Sequence, residues 1–296
     1  MIVFFQFAVL FLLVLFFSWS LFLMATYKKK KELDFESSLF LLMVAPELFL
    51  TLILAFLSFG EIVLGLVMGI NLISFLLIPG LVVLLQGETK IKVKNLRLDF
   101  LAVFLIVALP LILLKDFRLS KNEGLVLLGV AALLFGWRWK LPALICKTIF
   151  KKKRLFSWRF ILGSCLAIFF FLLSLLVVFS LPINLSLFSL GILPLALIVS
   201  LPEIIVNLEL TKAKPLVFVD GLLIPLVFNT SFILGLTAFL APFEIISLTV
   251  YLKSVLLFLF GFAIFYFFAW SKKKIDRLEG AILMLYFFLS LIIIFW

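Results

Sequence analysis

Two Pro-Glu pairs, Pro46-Glu47 and Pro202-Glu203, lie inside long apolar runs of this 296-residue chain. A carboxylate is expensive to place in hydrocarbon and marks a functional position by default. The neighbouring proline withholds a main-chain donor, which frees carbonyls near Leu42 and Ile198. Carboxylates beside free carbonyl oxygens suit a hard cation, which takes about six to eight oxygen ligands. Glu47 and Glu203 supply two negative charges, enough to match one divalent ion. Ser200, Ser74, Asn71 and Asn229 are the candidate neutral ligands, with hydrogen bonding between helices as the competing use of the same groups. Thr51 and Asn207 each stand four positions after a glutamate, on its helical face, and are expected to orient it.

The elements that must carry these residues are membrane helices. The chain is 66% hydrophobic and 14% charged, which excludes a soluble globular class. Ten apolar runs approach the roughly 20 residues that a bilayer crossing needs: about 2–26, 38–59, 61–86, 99–114, 123–138, 157–180, 187–209, 214–239, 248–270 and 278–296. No polar stretch is long enough for a separate soluble domain, and no alternating barrel pattern appears. The fold class expected is an all-α polytopic membrane protein of about ten transmembrane helices.

Charge placement sets the orientation. Of 26 basic residues, 22 fall at alternate joints: Lys28–Lys31; Lys90 to Arg97; Arg138 to Arg159; Lys212 and Lys214; Lys272 to Arg277. The positive-inside rule puts those joints in the cytoplasm and both termini outside. The net charge of +11 is thereby assigned to membrane topology and not to nucleic acid. The first span lacks a basic n-region and is expected to be retained. Cys146 and Cys165 have no metal-ligand spacing, and the absence of His excludes His-based catalysis. No nucleophile–base pair suggests an enzyme. Gly60, Gly65 and Gly69 are expected to let another helix approach the third span closely. Trp137, Trp139 and Trp158 suit the interfacial belt.

The two Pro-Glu pairs belong to a repeat. Ala45-Pro46-Glu47-Leu48-Phe49-Leu50-Thr51 aligns with Leu201-Pro202-Glu203-Ile204-Ile205-Val206-Asn207. Ser74 precedes Gly80 by six positions, as Asn229 precedes Gly235. The division expected is residues 1–150 (core motif 42–80) and 151–296 (core motif 198–235), with five helices in each. Five is odd, so the second half enters the membrane upside down, as in the inverted repeats of secondary transporters.

With these motifs in place, the chain resembles the cation/calcium exchanger superfamily, which includes the sodium/calcium exchangers. The resemblance lies in Ala45-Pro46-Glu47, in Gly65 to Ser74 with Gly69 and Asn71, in Val199-Ser200-Leu201-Pro202-Glu203, and in Asn229 with Gly235. The family's hydroxyl positions before Pro-Glu are Met43, Val44 and Val199 here, leaving Ser200 alone. Ile70 replaces a family serine, and Pro225 falls near its counterpart. Both glutamates stand while the neutral ligands are thinned.

The resemblance implies secondary cation antiport by alternating access, Ca²⁺ being exchanged for Na⁺ or H⁺ at Glu47 and Glu203. The alternative is a degenerate, non-transporting paralogue that serves as an interaction or assembly protein. Transported cations and the lipid bilayer are the partners implied, with no permanently bound cofactor. The membrane expected is the prokaryotic inner or plasma membrane.

Overall fold

The computed structural model describes residues 35–91, 96–136, 186–213 and 218–296. The predicted spans at 2–26 and 157–180 lie outside the described residues, as do Cys146, Cys165, Trp137, Trp139, Trp158 and the central basic joint. Each of the other eight predicted spans corresponds to a helical stretch, and the protein is an all-α helical membrane protein.

Helix α1 is Phe35–Phe56. Helices α2 (Gly60–Leu72) and α3 (Ile78–Gln86) are joined without a break by a π-turn, Ile73–Leu77. Helix α4 (Leu96–Leu113) and helix α5 (Lys121–Leu134) complete the first half. In the second half, α6 (Leu187–Leu190), a π-turn at Gly191–Leu195 and α7 (Ala196–Ala213) form one continuous helix. Another is formed by α8 (Phe218–Val227), a π-turn at Phe228–Ile233 and α9 (Leu234–Leu240). Helices α10 (Leu248–Lys272) and α11 (Arg277–Phe295) complete the chain. Among the described residues, five stretches are long and apolar enough to cross a membrane: Gly60–Gln86, Leu187–Leu208, Leu222–Leu240, Leu248–Lys272 and Arg277–Phe295.

The stretch Gly60–Gln86 is strongly apolar, and its membrane-length window is wholly buried, which makes it the central helix. The 187–195 segment crosses it with main chains nearly touching. A β-carbon at Gly65 or Gly69 would collide with the main-chain carbonyls of Phe188 and Ile192, and one at Gly191 with that of Ile62. The expectation of close approach thus holds at Gly65 and Gly69. Gly60 meets the side chain of Phe243 instead. Phe75, within the first π-turn, is held edge-on by the rings of Phe258, Phe262 and Phe265 at 5.0–6.2 Å. The outer α10 and α11 keep most of their apolar surface exposed, as a lipid-facing helix must.

Four two-residue strands form two small antiparallel ladders. In one, β1 (Thr89–Lys90) pairs with β4 (Lys274–Ile275), Thr89 opposite Ile275. In the other, β2 (Arg118–Leu119) pairs with β3 (Phe243–Glu244), Arg118 opposite Glu244. Each ladder joins one strand from each half of the chain. The central helix begins at Gly60, against Phe243 of β3, and ends at Gln86, just before β1. The ladders therefore lie at its two opposite ends. The 218–240 helix finishes at β3, so it runs opposite to the central helix.

A recurring offset of 156 relates much of the two halves, shortened to 155 between Ser74 and Asn229 and between Gly80 and Gly235. The 156 positions from Glu47 to Glu203 also separate Arg118 from Lys274 and Glu88 from Glu244. These four residues make two ion pairs, Arg118–Glu244 and Lys274–Glu88, each at 2.6 Å and each beside its ladder. The same offset relates Phe117 to Lys273, both of which turn the chain in the left-handed region (φ 63° and 54°). It also relates two capping boxes, Ser120 with Glu123 and Asp276 with Glu279. A glycine comes directly after each box and packs on its counterpart helix, Gly124 against Gly235 and Gly280 against Gly80.

Candidate cation site

Four helical stretches converge on the two Pro-Glu pairs. Helix α1 presents Glu47 and Thr51, and α7 presents Ser200, Glu203 and Asn207. The π-turn of the central helix carries Ser74, just after Asn71, and the π-turn of the 218–240 helix carries Asn229 and Thr230. Glu47, Asn71, Ser200, Glu203, Asn207, Asn229 and Thr230 are fully buried, and Ser74 and Thr51 retain 1% exposure.

The backbone explains how these side chains arrive together. A π-turn inserts one extra residue in a turn and rotates the next stretch of helix, which re-aims side chains at functional sites. Ser74 and Asn229 both sit in such turns. Prolines lie nearby, Pro79 just after the first π-turn, Pro194 inside the second and Pro225 shortly before the third. Each removes a main-chain donor and loosens the α pattern. The helices bearing Pro46 and Pro202 are themselves unbroken, so the interruption expected there occurs at the π-turns instead. Packing against neighbouring helices retains the α path where one hydrogen bond is missing.

The contacts cross between halves. Ser74 Oγ lies 2.8 Å and 2.9 Å from the two carboxylate oxygens of Glu203, donating its single proton to one of them at a time. Asn229, which matches Ser74 in the repeat, stands beside Glu47 close enough for its amide to act on the carboxylate. Neither group has a hydrogen bond of ordinary length, however. Each glutamate thus faces the matching residue of the other half, and both carboxylates are fully buried. Asn71 Nδ2 donates to Thr230 Oγ1 at 3.1 Å, the interhelical hydrogen bond that was the competing use of Asn71. Its Oδ1 has no partner.

Asn207 does not orient its glutamate as expected. Its Nδ2 donates to the main-chain carbonyl of Glu203 at 3.0 Å, while the Glu203 carboxylate reaches across to Ser74. Thr51 Oγ makes no hydrogen bond. A side chain four residues on in a helix finds the preceding carbonyl nearer than the preceding side-chain tip. Thr230 is the polar neighbour that the pattern of candidate ligands missed. Its signal was the Asn229-Thr230-Ser231 run inside an apolar stretch. Glu209 and Asp220 lie in α7 and α8, but their side chains are outside those described.

The resulting chemistry is oxygen-rich and negative. Both Glu47 oxygens, Thr51 Oγ, Asn71 Oδ1, Ser200 Oγ, Asn207 Oδ1 and Asn229 Oδ1 are buried without a hydrogen-bond partner among the described residues. Buried polar groups are ordinarily satisfied, so these oxygens remain free to serve as ligands. No lysine or arginine is buried among the described residues to compensate the carboxylates. Two uncompensated charges in a low-dielectric interior are costly. Such a cluster has the donor atoms and the charge to hold a hard cation or protons.

Comparisons with known proteins bear on the family and the fold. A family model described as sodium/calcium exchanger protein matches residues 41–140 and 155–296. The structure is similar to that of an H⁺/Ca²⁺ exchanger, CAX, with a TM-score of 0.67 and 18% identity over 97% of this chain and 81% of that one. It is also similar to the sodium-calcium exchanger NCX_Mj, soaked with 10 mM Na⁺ and no Ca²⁺, with a TM-score of 0.66 and 16% identity over 97% of both chains. Native YfkE matches with a TM-score of 0.64 and 14% identity, over 96% of this chain and 88% of that one. No curated protein sequence matches significantly.

Proposed function

The chain belongs to the sodium/calcium exchanger family, and on that premise we propose that it is a secondary cation antiporter. In this reading Ca²⁺ crosses the membrane in exchange for Na⁺ or H⁺ at one site built on Glu47 and Glu203. The observation that carries it is the reciprocal arrangement of the two glutamates. Each is fully buried, lacks a basic partner among the described residues, and is set against the matching residue of the opposite half.

Ten helices in two inverted five-helix repeats, residues 1–150 and 151–296, are the proposed framework. The opposed directions of the 60–86 and 218–240 helices support it, as does the recurring offset between halves. Ser200, Ser74, Asn229 and Asn71 are the proposed neutral ligands. With both carboxylates they approach the roughly six to eight oxygens that Ca²⁺ takes. Alternating access arises from charge competition, because closure over two carboxylates is favoured only when positive charge compensates them. The thinned hydroxyls favour the proton as counter-ion, since a proton needs one oxygen and a sodium ion needs several. In this reading the protein sits in a prokaryotic cell membrane with both termini outside and the lysine-bearing joints in the cytoplasm, an orientation that the loop charge supports.

The test is Ca²⁺ uptake into proteoliposomes under imposed pH or sodium gradients, with Glu47→Gln and Glu203→Gln alongside. Uptake driven by one gradient and lost in both variants is the expected result. Absence of uptake under either gradient in folded, inserted protein would overturn the reading in favour of a non-transporting assembly role.

A further inference from the structure

We infer that Asn207, Thr211 and Gln86 line a polar route from the glutamate pair to the end of the molecule where β1 and β4 pair. The matching route to the opposite end closes one turn from the site. This rests on the cation-exchange reading above and adds an inequality between its two access paths.

Helix α7 carries Ser200, Glu203, Asn207 and Thr211 at spacings of three and four, which puts them on one face. Asn207 is fully buried, yet its Oδ1 has no partner. Thr211 Oγ1 donates to the Asn207 carbonyl at 2.7 Å, and its exposure rises to 6%. Beside it, Gln86 Nε2 at the end of the central helix donates to the Leu208 carbonyl at 2.7 Å. Polar atoms therefore recur at about 6 Å, one helical turn apart, from the site to the surface. An ion on such a path exchanges hydration water for protein oxygens in steps, which avoids the cost of bare charge in hydrocarbon.

The other half supplies the contrast. The offset matches Asn207 with Thr51, Thr211 with Ala55, and Gln86 with Pro242. Helix α1 ends next to the start of the central helix, so Thr51 and Ala55 lead from Glu47 toward the β2–β3 ladder. Only Thr51 continues the polar face there. Ala55 is 2% exposed and offers no ligand, and Leu54 beside it is also buried. At the mouth of the longer route, Lys274 is paired with Glu88, and Lys272 with Asp276 and Glu279, which offsets their repulsion of a cation.

The test uses single cysteines in full-length protein with Cys146 and Cys165 replaced by serine, in vesicles exposed to a membrane-impermeant thiol reagent on one face or the other. Asn207→Cys and Thr211→Cys are expected to react from the face bearing Lys90 and Lys274, and millimolar Ca²⁺ should slow Asn207→Cys. Ala55→Cys should react at least about tenfold more slowly from its own face, equivalent to about 1.4 kcal/mol in barrier. Thr211→Cys and Ala55→Cys form a matched pair near helix ends, so the comparison survives a misfolded Asn207→Cys. Equal rates at 211 and 55, with gradient-driven Ca²⁺ uptake intact in the serine-substituted parent, would overturn the route alone. Unequal rates in a parent that moves no cation would overturn the exchange reading and the route's cargo together.

Discussion

Glu203 and Glu47 occupy equivalent places in the two halves and meet different surroundings. Both oxygens of Glu203 lie within 2.9 Å of the Ser74 hydroxyl, whereas neither oxygen of Glu47 has a hydrogen bond. Beyond Glu203 the polar face extends two turns, through Asn207 and Thr211. Beyond Glu47 it stops after Thr51. The backbone around these residues repeats closely, with matched capping boxes, ladders, ion pairs and glycine contacts. The two stretches thus share one pattern of scaffold contacts while their side chains at the centre differ. Packing tolerates little change, which accounts for the closer match of the scaffold contacts.

The largest effects should come from the glutamates themselves. Glu47→Gln and Glu203→Gln remove one charge each from a site that needs both to match a divalent ion. Gradient-driven Ca²⁺ uptake should fall to the level of protein-free liposomes in either variant. Retention of uptake in one of them would show that the halves differ in function and not only in surroundings.

The repeated scaffold predicts equal costs at matched glycines. A β-carbon at Gly80 would press on the Gly280 carbonyl, and one at Gly235 on the Gly124 carbonyl. Gly80→Leu and Gly235→Leu should each destabilise the protein by about 1 to 3 kcal/mol, the usual cost of overpacking. Gly129→Leu, which faces open space, serves as the control in thermal unfolding in detergent.

Ser74→Ala and Asn229→Ala separate the surroundings of the two glutamates more finely. Removing the Ser74 hydroxyl deprives Glu203 of its hydrogen bond, an interaction of about 1.5 to 3 kcal/mol for a charged acceptor. The half-saturating Ca²⁺ concentration should rise by about tenfold or more. Asn229 makes no bond of ordinary length in this conformation, so a smaller shift is expected from Asn229→Ala.

The smallest effect should come from the ladder ion pairs. Lys274→Glu should lower the melting temperature slightly, and adding Glu88→Lys should restore it, because exposed pairs contribute little. The hydrogen bond and charge of Lys274 hold the Glu88 carboxyl below the usual carboxylate range. A lowered value in the folded state means a contribution fully present at neutral pH and lost only as pH falls through that lowered value. The loss should be absent from the Glu88→Gln variant when unfolding is measured across acidic pH.

The sequence by itself determined the class of the protein and the heart of its candidate site. Long apolar runs have no alternative to helices in hydrocarbon, and Pro46-Glu47 and Pro202-Glu203 stand out because a membrane carboxylate is rare. Nearly equal spacing from Glu47 to Ser74 and from Glu203 to Asn229 made the repeat legible. Sequence spacing did not reveal that Ser74 serves the glutamate of the other half, because that contact spans 129 positions. The π-turns were equally hidden, since they depend on how Pro79, Pro194 and Pro225 are accommodated among neighbouring helices. Asn71 finding Thr230, and Arg118 and Glu88 finding partners across the two ladders, were also decided only by tertiary structure. Local chemistry along one helix is set by period and composition, whereas contacts between helices depend on direction and rotation, which are fixed only when all the helices pack together.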